Sequence, residues 1–132
     1  MLAQRPVSSN EGRRIVICDY NALLQSVTGL LRMTGYCVFQ AYDAMAAREL
    51  CGQLPDIEML ILNTTGAGVD SATLVRDIRE HHPALPVLHI GNWALDGMPD
   101  DVPTLAESFT AQQLLETVAE LMPAREMAAP IV

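Results

Sequence analysis

No apolar stretch of this chain is long enough to cross a bilayer, and its amino terminus lacks the basic start and apolar core of a secretory signal. Both absences lead us to expect a cytoplasmic protein without a membrane partner. Paired cysteine spacing is missing as well. The three cysteines, Cys18, Cys37 and Cys51, lie in or beside apolar segments with no CxxC pair, which argues for buried thiols in a reducing compartment. Positive charge is scarce: Lys plus Arg number 8 against 16 Asp plus Glu, a formal net charge of −8. Such a surface repels phosphate backbones and anionic headgroups, so a nucleic-acid partner is not expected. There is no internal repeat and no low-complexity segment.

What is present is a 132-residue chain with 50% hydrophobic and only 18% charged residues, the size and composition of one compact domain. It is organised around the stretch Glu58 to Gly68. An apolar run too short for an ordinary helix, preceded by Pro55 and Asp56 and ended by a polar, glycine-containing loop, reads as a central strand buried on both faces. Asn63 falls at its carboxyl end. In an open α/β sheet that edge delivers side chains into the crevice where ligands bind.

Residues 1–12 have no periodicity and read as a flexible arm. A strand over Arg13–Asp19 follows, β-branched and ending in a carboxylate. Leu23, Val27, Leu30 and Leu31 recur at helical spacing, with Asn21 as cap and Gly35 as terminator. Tyr36–Tyr42 is a second strand, and Asp43 caps a helix carrying Ala47, Leu50, Cys51 and Leu54 on one face. After the central strand, a helix starting at Asp70 or Ser71 carries Leu74, Val75 and Ile78, with Arg76 and Glu80 paired on its exposed side. It closes at His81-His82-Pro83.

Pro86–Gly91 is a fourth strand and Val102–Ala106 a short fifth. The stretch Asn92–Asp101 between them contains Gly97 and Pro99 and sits at the lower limit of roughly 10–12 residues for a crossover, so a loop or single turn is expected there. Thr110 and Gln113 have capping-box spacing, and Leu114, Leu115, Val118, Leu121 and Met122 form the stripe of a last helix. Residues 123–132 read as a loose tail. Strands alternating with helices through right-handed crossovers give a parallel three-layer sandwich.

The order of elements, the acidic end of the first strand, Asn63 and the segment Glu107-Ser108-Phe109-Thr110 together resemble the receiver domain of bacterial response regulators, over residues 13–122. The resemblance implies a flavodoxin-like, doubly wound α/β fold with a five-stranded sheet in the order 2-1-3-4-5; the short Asn92–Asp101 stretch adds the expectation that the helix between strands four and five is shortened or missing. In that family an acidic pair and a strand-three aspartate hold Mg²⁺, and the aspartate takes a phosphoryl group from a histidine kinase. A Thr or Ser ending strand four and a Lys ahead of a Pro-Phe-Thr-like segment bind the phosphoryl oxygens.

Carried onto this sequence, the acidic pair falls on Cys18 and Asp19, the acceptor on Asn63, the hydroxyl on Gly91, the lysine on Glu107 and the aromatic switch on Thr104. An amide does not form the acyl phosphate, so the covalent step is lost. A thiol and an amide are poor Mg²⁺ ligands, and Glu107 repels phosphate where a lysine would attract it. Ser108 stands at a cis-proline position, and a trans Glu107–Ser108 bond is expected.

The expectation is therefore an atypical, single-domain receiver without the phosphoacceptor, working independently of phosphorylation as a protein interaction module in two-component signalling. It is expected to need no cofactor or metal and to have no catalytic residue. Trp93, Met98, Leu105 and Phe109 form the expected contact surface, for a signalling partner or a second copy of the chain. The alternative is a small-ligand or cation sensor using the acidic crevice.

Overall fold

The computed structural model describes residues 12–19, 24–63, 71–92 and 97–122. The arm before Gly12, the tail, and the expectations placed on Asn21, Asp70, Gly66-Ala67-Gly68 and Trp93 lie outside the described residues.

Nine elements follow in order: β1 (Arg14–Asp19), α1 (Gln25–Met33), β2 (Cys37–Ala41), α2 (Ala44–Gln53), β3 (Met59–Asn63), α3 (Ser71–His81), β4 (Val87–Ile90), β5 (Thr104–Leu105) and α4 (Ala111–Leu121). The strands form one sheet in the order β2-β1-β3-β4-β5, and each neighbouring pair is parallel. This is the expected topology. All five residues of β3 are buried, as a central strand covered on both faces requires.

Strand alternation sorts the core into two halves. Ile15, Ile17, Met59, Ile61, Leu88 and Ile90 pack with Val27 and Leu31 of α1 and with Leu114 and Val118 of α4. On the opposite face Val16, Cys18, Leu60, Leu62 and Val87 pack with Ala47 and Cys51 of α2 and with Leu74, Val75 and Ile78 of α3. Between β4 and β5 no helix occurs among the described residues. Met98 and Val102 pack against the second half of the core instead.

Local chemistry fixes several ends. The Asp43 carboxylate accepts the Ala46 N–H at 2.7 Å, and Thr110 and Gln113 form a reciprocal capping box at α4. Arg13, only 5% exposed, donates to Glu58 at 3.1 Å and to the Met122 carbonyl at 3.4 Å. It thereby ties the end of α4 to the base of the sheet. The charged face of α3 differs from expectation. Its ion pairs reach outside the helix, Asp77 to Arg48 and Arg79 to Asp101, because partners on neighbouring elements face it more directly than one another's turn.

Candidate functional site

The parallel sheet sets the site. Asp19 and Asn63 end adjacent strands as register partners, both pointing to the α1/α4 side by alternation with Ile17 and Ile61. Asn63 is 0% exposed. Its Nδ2 donates to Glu107 Oε1 at 3.4 Å, bringing the β5–α4 loop over the end of β3. The other Glu107 oxygen, Oε2, accepts from Asn92 Nδ2 at 2.8 Å, and the Glu107 N–H is 3.4 Å from Asn92 Oδ1. The carboxylate is thus held between two carboxamides.

Asp19 is 2% exposed and does not join that contact. Its Oδ2 accepts the Leu24 N–H at 2.6 Å, anchoring the start of α1, whose cap residue Leu24 offers no side-chain acceptor. Its Oδ1 is buried without a hydrogen-bond partner among the described residues. Above these residues lies a cavity of about 270 Å³ lined by Leu24, Ser26, Asn63, Ile90, Glu107 and Phe109.

Cys18 faces the opposite side of the sheet, in the half of the core containing Cys51, since residues next to one another on a strand point to opposite faces. The pair assigned from the sequence is therefore split by the pleat. The Cys51 thiol is pushed up to about 12 by burial and by Cys18, so it stays protonated and unreactive at neutral pH.

Gly91 is buried, and its N–H donates to the Leu105 carbonyl at 3.0 Å. A Cβ at this position would stand 2.9 Å from His89 Cε1 and 3.0 Å from His89 Nε2. The imidazole fills the space that a side chain on residue 91 would need. His89 Nδ1 is hydrogen-bonded to Thr104 Oγ1 at 3.1 Å, which links β4 to β5. Burial pushes the imidazole below its ordinary 6.5, against the opposing pull of the Glu107 carboxylate.

The expected contact surface is also redistributed. Leu105 and Phe109 are partly buried against the α1/α4 core, while Met98 packs on the α2/α3 side. They cover the core at the β5 edge; Met33, Tyr42 and Met45 are the exposed large hydrophobics among the described residues.

Asn92 and His89 had no place in the site read from the sequence. Asn92 pairs with Glu107 across fifteen residues, a separation no local pattern reveals. His89 reaches Gly91 at two-residue spacing, which strand alternation does allow.

Comparison places this arrangement. The crystal structure of the receiver domain from the hybrid histidine kinase CckA superposes with a TM-score of 0.70, at 26% identity, covering 85% of this chain and 100% of that one. The fold is that of a response-regulator receiver domain. A sensor kinase CckA of Brucella abortus (strain 2308) is 24% identical over 115 residues, 82% of this chain, and this chain spans only 12% of that kinase's length. The receiver domain of sensor histidine kinase PA1611 from Pseudomonas aeruginosa PAO1, solved with magnesium in its active-site cleft, gives a TM-score of 0.70 at 21% identity over 84% of this chain and 98% of that one. No family model matches the sequence.

Receiver domains hold Mg²⁺ where Asp19, Asn63 and their neighbours stand, and the donor set here does not suit it. Mg²⁺ demands near-octahedral oxygen coordination at about 2.0–2.1 Å and keeps several waters. Here one Asp19 oxygen is committed to α1, the acceptor is an amide, and half of the cavity wall is apolar, from Leu24, Ile90 and Phe109. The sequence contains no lysine at any position. No peptide bond among the described residues is cis, the Glu107–Ser108 bond included.

Proposed function

We propose that this receiver-type domain takes no phosphoryl group and serves as a phosphorylation-independent protein interaction module in two-component signalling, catalysing no reaction of its own. The observation that carries this reading is the 3.4 Å contact from Asn63 Nδ2 to Glu107 Oε1. In it, the acceptor position and the phosphate-ligand position have exchanged chemistry: an amide donates where a carboxylate would attack, and a carboxylate accepts where an ammonium would bind phosphate.

The consequence is a site that carries net negative charge and has no cationic group to offer an incoming anion. A phosphoryl group would meet Glu107, the buried Asp19 carboxylate and no side-chain cation among the residues lining the cavity, which is unfavourable in a low-dielectric crevice. Signal then leaves through a standing surface. At the ends of strands four and five, Thr104 is bonded to His89 and Glu107 to Asn92 with no phosphoryl group in the site, which supports a surface set by the chain's own side chains.

Affinity capture from lysate with and without a small-molecule phosphodonor and Mg²⁺ tests the reading. The same partners are expected in both arms. Gain or loss of a specific partner on adding the phosphodonor contradicts it.

A further inference from the structure

The cavity above Asn63 has walls unlike those of a phosphate site. Leu24, Ile90 and Phe109 supply apolar surface, Ser26 and Asn63 neutral polar atoms, and Glu107 a carboxylate, around about 270 Å³. A second carboxylate, outside the residues that line the cavity, is tied to two of them. Asp19 accepts the Leu24 N–H at 2.6 Å, is the register partner of Asn63, and keeps Oδ1 buried without a hydrogen-bond partner among the described residues. A buried carboxylate oxygen left in that condition is costly and gains from a nearby positive charge.

We infer that the cavity receives a small organic ammonium ion, its charge beside Glu107 and its apolar body against Leu24, Ile90 and Phe109. The inference rests on the reading of Asn63 and Glu107 as replacements for phosphate-binding groups. Three features select this class of ligand. The Glu107 carboxylate in the wall sets a negative potential, reinforced by Asp19 at the neighbouring strand end and by a chain charge of −8. The aromatic residue in the wall suits a diffuse cation with little hydration to lose. The apolar half of the wall gives a compact organic body contact that a hydrated metal ion cannot use.

Calorimetric titration and thermal shift with choline and n-butylammonium as probes test this, beside uncharged dimethylbutanol, inorganic phosphate and MgCl₂ alone. Both ammonium probes are expected to bind and raise the melting temperature, with the side-chain amide signals of Asn63 and Asn92 shifting in the ¹⁵N–¹H spectrum. Glu107→Gln is expected to weaken binding roughly tenfold or more, and Phe109→Leu roughly threefold. The second variant keeps the test decisive if the first is poorly folded.

Binding of neither ammonium, equal binding of dimethylbutanol, tighter binding of phosphate or Mg²⁺, or indifference to both substitutions overturns the inference. Acyl phosphate formation on treatment with a phosphodonor overturns the proposed function and this inference together. Absence of both acyl phosphate and ammonium binding overturns this inference alone.

Discussion

Adding a single methyl group at residue 91 tests the packing of His89 over Gly91. The Cβ of Gly91→Ala would lie 2.9 Å from His89 Cε1 and 3.0 Å from Nε2, inside van der Waals contact, and its backbone angle is outside the left-handed region that favours glycine. The imidazole must move. It is buried at 2% exposure and bonded to Thr104 Oγ1, so displacement combines overpacking, about 1–3 kcal/mol, with the strained or lost hydrogen bond, about 0.5–1.5 kcal/mol. Because part of the strain relaxes, we expect Gly91→Ala to destabilise by about 1–3 kcal/mol.

In a His89→Ala background the obstacle is gone, and the same substitution is expected to be neutral or to stabilise by about 0.4–1 kcal/mol through the unfolded state. The sign of the effect thus reverses with residue 89. Urea unfolding of the four proteins in the double-mutant cycle reads the coupling, expected to exceed about 1 kcal/mol. Additive effects, within about 0.5 kcal/mol, refute the claim that His89 occupies the space above Gly91.

Three further outcomes are expected. Asn63→Asp places a carboxylate where Nδ2 now donates to Glu107 at 3.4 Å; it should lower stability at pH 7 by about 1–3 kcal/mol, with part of the loss recovered in mild acid as one carboxyl takes a proton, seen in urea midpoints at two pH values. His89 has a folded pKa below its unfolded value, so its contribution is fully present above about pH 6.5 and is lost as pH falls below that, at up to about 1.4 kcal/mol per unit, levelling off below the folded pKa. A stability profile that His89→Ala leaves unchanged over that window contradicts this. Thr110→Ala removes the acceptor of the Gln113 N–H and should cost about 1 kcal/mol, read by thermal unfolding; no measurable loss contradicts the capping-box account.

The fold was legible because its signals are local and repeat. The apolar runs at Ile15–Cys18 and Met59–Leu62, the caps at Asp43 and Thr110, and the short stretch before Val102 each specify one element, and crossover handedness orders them. The site was legible only in part. Asn63 and Glu107 could be placed by position, but the lateral position of Cys18 required attention to the pleat: alternation sets it with Val16, and Asp19 with Ile17. Met98 packs on the α2/α3 half of the core and Leu105 and Phe109 on the α1/α4 half, a division set by the path of the loops around β5. Asp19 as the anchor of α1 was hidden because it acts on an N–H five residues away and not at the cap position. The Asn92–Glu107 contact is purely tertiary, and no sequence spacing encodes it.

The central claim is that Asn63 has ended phosphoryl chemistry at this site. Intact-mass spectrometry after incubation with acetyl phosphate and Mg²⁺ addresses it directly, with a phosphorylatable receiver domain treated in parallel. The account predicts an unchanged mass for this protein while the parallel receiver gains one phosphoryl group. A stoichiometric, hydroxylamine-labile phosphoryl adduct on this chain would contradict it.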